Sequence, residues 1–108
     1  DMPRFTLHDL TAIIDDRASA SADTSYTRKL LDKGAVHCAK KFGEEAVETI
    51  IAATEGDRDH LIAESADVLF HLLVLLKAAG VTLVDVEAAL EKRTGMSGLD
   101  EKAARKRD

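Results

Sequence analysis

Aromatic residues make up only 4% of the 108-residue chain, which has no tryptophan and a single proline. Strands are enriched in β-branched and aromatic residues, whereas this chain is rich in Ala, Leu, Glu, Lys and Asp. The shortage of strand-forming residues therefore predicts an all-α protein. A chain of this length supports one modest hydrophobic core, so we expect a single domain over residues 1–108.

Cysteine is also scarce, because Cys38 is the only one. A lone cysteine excludes an internal disulfide and a zinc–thiolate site, and Cys38 is expected to be a small filler on a helix. No signal-peptide pattern is recognisable. The longest apolar run, residues 68–76, is interrupted by His71 and is too short to span a bilayer. We therefore expect a soluble cytoplasmic protein with no membrane partner.

Positive charge is in deficit, with 15 basic against 20 acidic residues and a net charge of -5. Nucleic-acid-binding proteins normally present a cationic face to phosphates, so nucleic-acid binding is disfavoured. The charge is unevenly distributed, because the charged residues in 28–41 are mainly basic and those in 44–55 are acidic. This arrangement suits a polyphosphate ligand that arrives with a divalent cation, although composition alone would favour a solvated helix face.

Hydrophobic spacing and helix-capping residues predict five helices in an α-bundle with short connections. Ser25 or Thr27 can cap the second helix, and Thr82 with Asp85 forms a capping-box pattern for the fifth. The C-terminal tail, residues 97–108, is expected to add one or two amphipathic turns or to stay mobile. The predicted helices cover about residues 7–18, a short segment that ends at 34, residues 36–54, residues 59–79, and a segment that ends near 95.

The fourth predicted helix carries acidic residues inside an otherwise apolar stretch. Glu64, Asp67 and His71 lie at spacings of three and four, so they share one face of the helix. Buried carboxylates are costly unless they are paired or bind a metal. This context favours a functional role for Glu64 and Asp67. A lone histidine on an inner helix face is more often a hydrogen-bonded structural group, and we favour that role for His71.

The third predicted helix carries a matching group, Glu44, Glu45 and Glu48. Like charges at these spacings destabilise a helix by about 0.2–0.5 kcal/mol per pair. If the third and fourth helices form an antiparallel hairpin, four or five carboxylates meet in one pocket and need cations to stay ionised. Only oxygen donors converge, so Mg²⁺ fits, with Mn²⁺ as a substitute. Taken alone, these glutamates are more simply explained as a solvated face or as ion-pair partners of Lys40, Lys41 and Lys77.

The motif E-E-x-x-E followed by E-x-x-D resembles the all-α nucleoside-triphosphate pyrophosphohydrolase superfamily, which has the MazG-like fold. Within it, the chain is similar to phosphoribosyl-ATP pyrophosphohydrolase of histidine biosynthesis, and the similarity covers nearly the whole chain from Ser25 onward. Phe70 stands where that family commonly carries Tyr, which we interpret as a packing change. The matching segments are SYT at 25–27, KKFGEEAVE at 40–48, ESADVLFHLLVLL at 64–76 and RTGMSGLDEKAAR at 93–105.

The resemblance implies a reaction in which water attacks the α-phosphorus of phosphoribosyl-ATP, giving phosphoribosyl-AMP and pyrophosphate. It also implies a homodimer or higher homo-oligomer with the site near the subunit interface. The implied Mg²⁺ ligands are Glu45, Glu48, Glu64 and Asp67. The implied catalytic residues are Glu44, which joins the ligands or orients the water, Glu45 and Glu48. The implied substrate-binding residues are Lys29, Lys40, Lys41, Arg93, Ser97, Lys102 and Arg105.

Two other functions are compatible with the same residues. One is hydrolysis of other, non-standard nucleoside triphosphates, because carboxylates act on the phosphates and not on the base. The SYT segment and the SGLDEKAAR segment favour phosphoribosyl-ATP. The other is a non-catalytic helical dimerisation module whose acids only confer solubility, and the density of inward-facing acids argues against it.

Overall fold

A computed structural model describes residues 3–95 and residue 105, and these residues form α-helices and no strands. The predicted all-α fold class is therefore confirmed. The first helix has the predicted bounds, and the third and fourth differ from prediction by one residue at each end. The helices are α1 (Leu7–Ala18), α2 (Tyr26–Asp32), α3 (Ala35–Glu55), α4 (Arg58–Ala78) and α5 (Leu83–Thr94).

Most of the helices begin at a polar residue whose side chain caps the first turn. Thr6 and Thr82 open α1 and α5 with capping boxes, as predicted for Thr82 with Asp85. The Ser25 hydroxyl accepts a hydrogen bond from the Arg28 amide at 3.0 Å, so Ser25 and not Thr27 caps α2. Each such cap stabilises its helix by about 1 kcal/mol.

Helices α3 and α4 form a long antiparallel hairpin, and their packing against each other dominates the fold. Each helix has 21 residues, and only Gly56 and Asp57 connect them. Gly56 ends α3 at a φ of 74°, a left-handed conformation that favours glycine. The Thr49 hydroxyl lies 2.8 Å from the Glu45 carbonyl oxygen and 3.1 Å from the Glu64 carbonyl oxygen across the hairpin. These contacts place Glu45 of α3 opposite the middle of α4.

The hydrophobic core lies at one end of this hairpin, where α1 and α2 pack against it. Its buried members are Ile14, Leu30, Cys38, Leu73 and Val74. The Cys38 thiol lies 3.3 Å from the Leu30 carbonyl oxygen, and burial raises the pKa of this thiol. Cys38 is therefore an unreactive filler between α2 and α3, as predicted.

Beyond this core the hairpin exposes apolar side chains. We call the set Val47, Ile50 and Ile51 of α3 with Ile62 and Leu69 of α4 the apolar face; each of these residues is between 39% and 62% exposed. Large exposed apolar side chains on one helical hairpin are a feature of contact surfaces. Helix α5 has no buried residue.

Two exposed ion pairs connect α1 with later helices. Asp15 pairs with Lys77 of α4 at 2.8 Å, and His8 pairs with Glu87 of α5 at 2.8 Å. Exposed pairs contribute little stability, about 0–1 kcal/mol. Within the described part of the chain, no single helix is long and apolar enough to cross a membrane, and α4 with α5 meets those criteria only as a pair bent by 109°.

Substitution of Ile14, which is 1% exposed, tests this account of the core. We expect Ile14→Ala to lower the free energy of unfolding by about 2–5 kcal/mol, because it removes buried methyl groups and leaves a cavity. Urea denaturation at a fixed protein concentration measures the change. The control Val36→Ala, at a side chain that is 87% exposed, should change stability by less than about 0.5 kcal/mol. Equal effects of the two variants would contradict this placement of the core.

Candidate active site

Three carboxylates converge where the middle of α3 meets the middle of α4. Glu45 of α3 and Glu64 and Asp67 of α4 each present one oxygen, and these oxygens lie within 4.8 Å of one another. We call this group the acidic cluster. Glu45 and Glu64 are partly buried, whereas Asp67 is exposed. The cluster is therefore held by the hairpin and open to solvent on the side of Asp67.

The electrostatics of the acidic cluster are unfavourable in the absence of a cation. Burial raises the pKa of the Glu45 carboxyl, and the negative charges of Asp67 and Glu64 raise it further; a positive charge on His71, when that ring is protonated, lowers it. The Glu64 side chain is only 17% exposed; its Oε1 lies 3.3 Å from His60 Nε2. Its Oε2 is buried and has no hydrogen-bond partner among the described residues. An unpaired buried polar atom costs about 1–3 kcal/mol.

These features fit a bound divalent cation. The donors are all carboxylate oxygens, which hard ions such as Mg²⁺ and Mn²⁺ prefer over softer ligands. A cation among Glu45, Glu64 and Asp67 would provide a partner for the unpaired Oε2 of Glu64. It would also offset the repulsion that raises the pKa of Glu45.

His71 lies behind the acidic cluster and is buried. Its Nδ1 lies 2.9 Å from the Asp67 carbonyl oxygen, which can only accept, so Nδ1 carries the proton. In the neutral ring Nε2 then accepts a hydrogen bond from the Tyr26 hydroxyl at 3.3 Å. The Phe70 ring stacks on Tyr26 at 6.2 Å and meets the His71 ring edge-on at 5.2 Å. This packing agrees with a structural role for His71. Helical spacing in the sequence does not reveal that Tyr26 contacts His71.

Two of the glutamates expected at the catalytic centre lie beside the acidic cluster. Glu48 is exposed one turn after Glu45 and does not belong to the three-carboxylate group. Glu44 is also exposed, and its Oε2 pairs with Lys41 Nζ at 3.3 Å. The reason is helical rotation of about 100° per residue, which turns Glu44 by about 100° and Glu48 by about 60° from the direction of Glu45.

Of the basic residues singled out from the sequence, Lys29 and Lys41 line a cavity of about 400 Å³ between α2 and α3. Lys33 and His37, which sequence reasoning did not single out, also line this cavity. Lys40 is exposed on the surface of α3.

The remaining basic candidates belong to the C-terminal part of the chain. Arg93 lies in the last turn of α5, and both Arg93 and Arg105 are exposed. Ser97 and Lys102 fall outside the described residues.

An antiparallel helical hairpin that gathers three carboxylates beside a lysine-lined cavity defines an all-α protein suited to bind a divalent cation next to an anionic ligand. Residues 7–94 match the family model of phosphoribosyl-ATP pyrophosphohydrolase. The chain belongs to this family, which confirms the family indicated by the sequence motifs.

Curated relatives agree with this assignment over their full length. The phosphoribosyl-ATP pyrophosphatase of Nitrobacter hamburgensis is 72% identical over 107 residues, which cover 99% of this chain and 100% of the relative. Phosphoribosyl-ATP pyrophosphatase 1 of Bradyrhizobium diazoefficiens is 73% identical over 105 residues, 97% of this chain and 99% of the relative. The phosphoribosyl-ATP pyrophosphatase of Rhizobium rhizogenes is 52% identical over 104 residues, 96% and 100% of the two chains.

The raised pKa of Glu45 predicts how stability depends on pH. Native Glu45 retains its proton above the ordinary value of 4.5, so in that range the native state binds more protons than the unfolded state. The free energy of unfolding should therefore fall as pH rises from about 4.5 through the raised native pKa. Urea denaturation in EDTA at a series of pH values measures this fall, and Glu45→Gln should reduce it.

Glu87→Gln is the matched control, because Glu87 lies on α5, away from the acidic cluster, and within the described part of the chain it pairs only with His8. This variant should retain the fall in stability seen in the unsubstituted protein. An identical pH profile for the unsubstituted protein and Glu45→Gln would show that the carboxylates do not repel one another as described.

Proposed function

We propose that this protein hydrolyses phosphoribosyl-ATP to phosphoribosyl-AMP and pyrophosphate in histidine biosynthesis, with Mg²⁺ as the cofactor and Mn²⁺ as a possible substitute. The observation that supports this function most strongly is the acidic cluster, because its donors suit a divalent cation and the chain belongs to the phosphoribosyl-ATP pyrophosphohydrolase family. The enzyme would act in the cytoplasm, where we expect this pathway to operate.

In this proposal Glu45, Glu64 and Asp67 hold the cation. When bound, a divalent ion neutralises phosphate charge and makes a coordinated water more acidic. The hydrogen bond from His71 Nδ1 to the Asp67 carbonyl oxygen fixes the His71 ring against the same turn of α4 that carries Asp67. Glu48, one turn after Glu45, can complete the ligand set when the substrate binds.

The chemical step is attack of a water oxygen on the α-phosphorus. A bond forms between that oxygen and phosphorus, the bond to the bridging oxygen breaks, and pyrophosphate leaves with the electron pair. Glu44 and Glu48 lie next to the acidic cluster without belonging to it, so in our proposal one of them orients the water and accepts its proton. The Glu44–Lys41 pair is partly exposed, so breaking it to make these contacts costs little, about 0–1 kcal/mol.

The basic residues would bind the substrate. Lys41 lies one turn before Glu45 on α3, so we assign it to the triphosphate, with the neighbouring Lys40 as a second contact. Lys29 lines the cavity beside Lys41. The remaining proposed substrate contacts, from the end of α5 and the C-terminal tail, are Arg93, Ser97, Lys102 and Arg105.

Neutralising Glu64 tests the catalytic proposal. We expect Glu64→Gln to lower kcat/KM for phosphoribosyl-ATP by at least about a hundredfold, because loss of a metal ligand should exceed the 10- to 100-fold cost of losing an outer contact. Pyrophosphate release at increasing Mg²⁺ concentration is the measurement, and activity should be absent in EDTA. The control Glu87→Gln should retain full activity.

A substrate panel separates the two enzymatic alternatives. Comparable turnover of several ordinary or non-standard nucleoside triphosphates, with phosphoribosyl-ATP no better, would assign the protein to general triphosphate hydrolysis. Absence of any Mg²⁺-dependent hydrolysis would favour the remaining alternative, a non-catalytic helical dimerisation module.

We also propose that the protein is at least a homodimer that uses the apolar face. This face lies on the same two helices as the acidic cluster, so a partner that covers it would bring the active site close to the subunit interface. A second copy fits because the same exposed side chains are available on both copies and can pair about a two-fold axis.

Charge placed in the apolar face tests this assembly. Ile50 and Ile62 are 62% and 53% exposed in the single chain, so Ile50→Lys and Ile62→Lys should fold but lose the dimer. Light scattering coupled to size exclusion should show at least twice the chain mass of 11.7 kDa for the unsubstituted protein and the mass of a single chain for these variants. Val36→Lys, at the far end of α3, should remain dimeric. A monomeric unsubstituted protein would contradict the proposal.

A further inference from the structure

The cavity between α2 and α3, which we call the cationic cavity, is chemically distinct from the acidic cluster. It encloses about 400 Å³, a volume within the range of small-molecule sites. Three lysines and a histidine contribute to its wall. The lining residues are Ala22, Tyr26, Lys29, Leu30, Asp32, Lys33, His37 and Lys41.

The positive charge of the cationic cavity is not neutralised by its own wall. Asp32 is its only acidic lining residue, and its Oδ1 already pairs with Arg28 Nε at 2.8 Å. Lys29 and Lys33 form no ion pair within the described part of the chain, whereas Lys41 pairs with Glu44. A phosphate monoester carries up to two negative charges and several acceptor oxygens, so it complements the unpaired lysines.

The cationic cavity lies within reach of a ligand whose reacting phosphate sits at the acidic cluster. On α3, Lys41 precedes Glu45 by about 6 Å and His37 precedes it by about 12 Å along the helix axis. Neighbouring phosphates of a triphosphate share an oxygen, so they lie closer together than the distance of about 12 Å between His37 and Glu45. A phosphate near His37 therefore belongs to another part of the ligand.

Tyr26 indicates which chemical group faces it in the cationic cavity. When the His71 ring is neutral and its Nδ1 donates to the Asp67 carbonyl oxygen, the Tyr26 hydroxyl donates its hydrogen to Nε2 and offers only lone pairs to a ligand. Lone pairs repel phosphate oxygens and accept hydrogen bonds from sugar hydroxyls. A ligand with a sugar near Tyr26 and a phosphate near Lys29 and Lys33 satisfies both groups.

We propose that the cationic cavity binds the phosphoribosyl end of the substrate and provides selectivity for phosphoribosyl-ATP over ordinary nucleoside triphosphates. Lys29, Lys33 and His37 are the specificity residues, with Lys33 and His37 closest to the phosphate end. This inference rests on the proposed function, because it assigns the part of phosphoribosyl-ATP that other triphosphates lack.

The test compares Lys33→Ala and Lys29→Ala/Lys33→Ala with the unsubstituted enzyme in the presence of Mg²⁺. We expect KM for phosphoribosyl-ATP to rise by about tenfold for each lysine removed, the effect of losing one charge-assisted contact, with kcat changed by less than about threefold. Lys77→Ala is the matched control, because Lys77 lines a different cavity with Asp15 and should leave KM unchanged.

Product inhibition identifies the part of the substrate that the lysines bind. Phosphoribosyl-AMP retains the phosphoribosyl end, so its inhibition should weaken in parallel with the rise in KM. Pyrophosphate carries only the leaving group, so its inhibition should not change. Equal weakening of inhibition by both products would place the triphosphate in the cationic cavity and overturn the inference. An unchanged KM for phosphoribosyl-ATP would also overturn it. Failure of the proposed function gives a different result, because the unsubstituted enzyme itself would not hydrolyse phosphoribosyl-ATP.

Discussion

Repulsion between carboxylates on two packed helices is the constraint on which the rest of this structure depends. Glu45 on α3 faces Glu64 and Asp67 on α4, and the packing of the hairpin keeps them from separating. The cost appears as a raised pKa at Glu45 and as an unpaired oxygen at Glu64. A bound divalent cation would stabilise this arrangement, because its positive charge attracts the same carboxylates that repel one another.

The fold separates the parts that stabilise it from the parts that react. Helices α1 and α2 bury Ile14 and Leu30 against one end of the hairpin, together with Cys38. The rest of the hairpin holds the acidic cluster and the apolar face, the two surfaces to which we assign the cation and the second copy of the chain. The cationic cavity borders the core, since Leu30 of α2 belongs to the core and also lines the cavity.

Local features of the sequence were sufficient to predict the helices and part of the site. Thr82 and Asp85 mark the start of α5 because a capping box is formed within four residues. Glu64 and Asp67 stand out because they are the only charged residues between Leu61 and Leu76, where most side chains are apolar. The prediction that Cys38 is a small filler is confirmed, although its contact with the Leu30 carbonyl oxygen depends on how α2 packs.

Other features depend on the angle between helices, which spacing alone does not give. Glu48 shares a helix sector with Glu45, yet a rotation of about 60° leaves it outside the three-carboxylate group. Lys33 and His37 line one cavity because Lys33 ends α2, His37 lies in the first turn of α3, and Gly34, where φ is 91°, joins the two helices. The contact between Tyr26 and His71 joins residues 45 positions apart, so no periodic pattern could reveal it.

The most direct test of the central claim is the position of a metal ion in crystals grown with Mn²⁺, located by anomalous scattering. Our account predicts an anomalous peak within coordination distance of carboxylate oxygens from Glu45, Glu64 and Asp67. A peak bound elsewhere on the molecule, or no peak among these three side chains at saturating Mn²⁺, would contradict it.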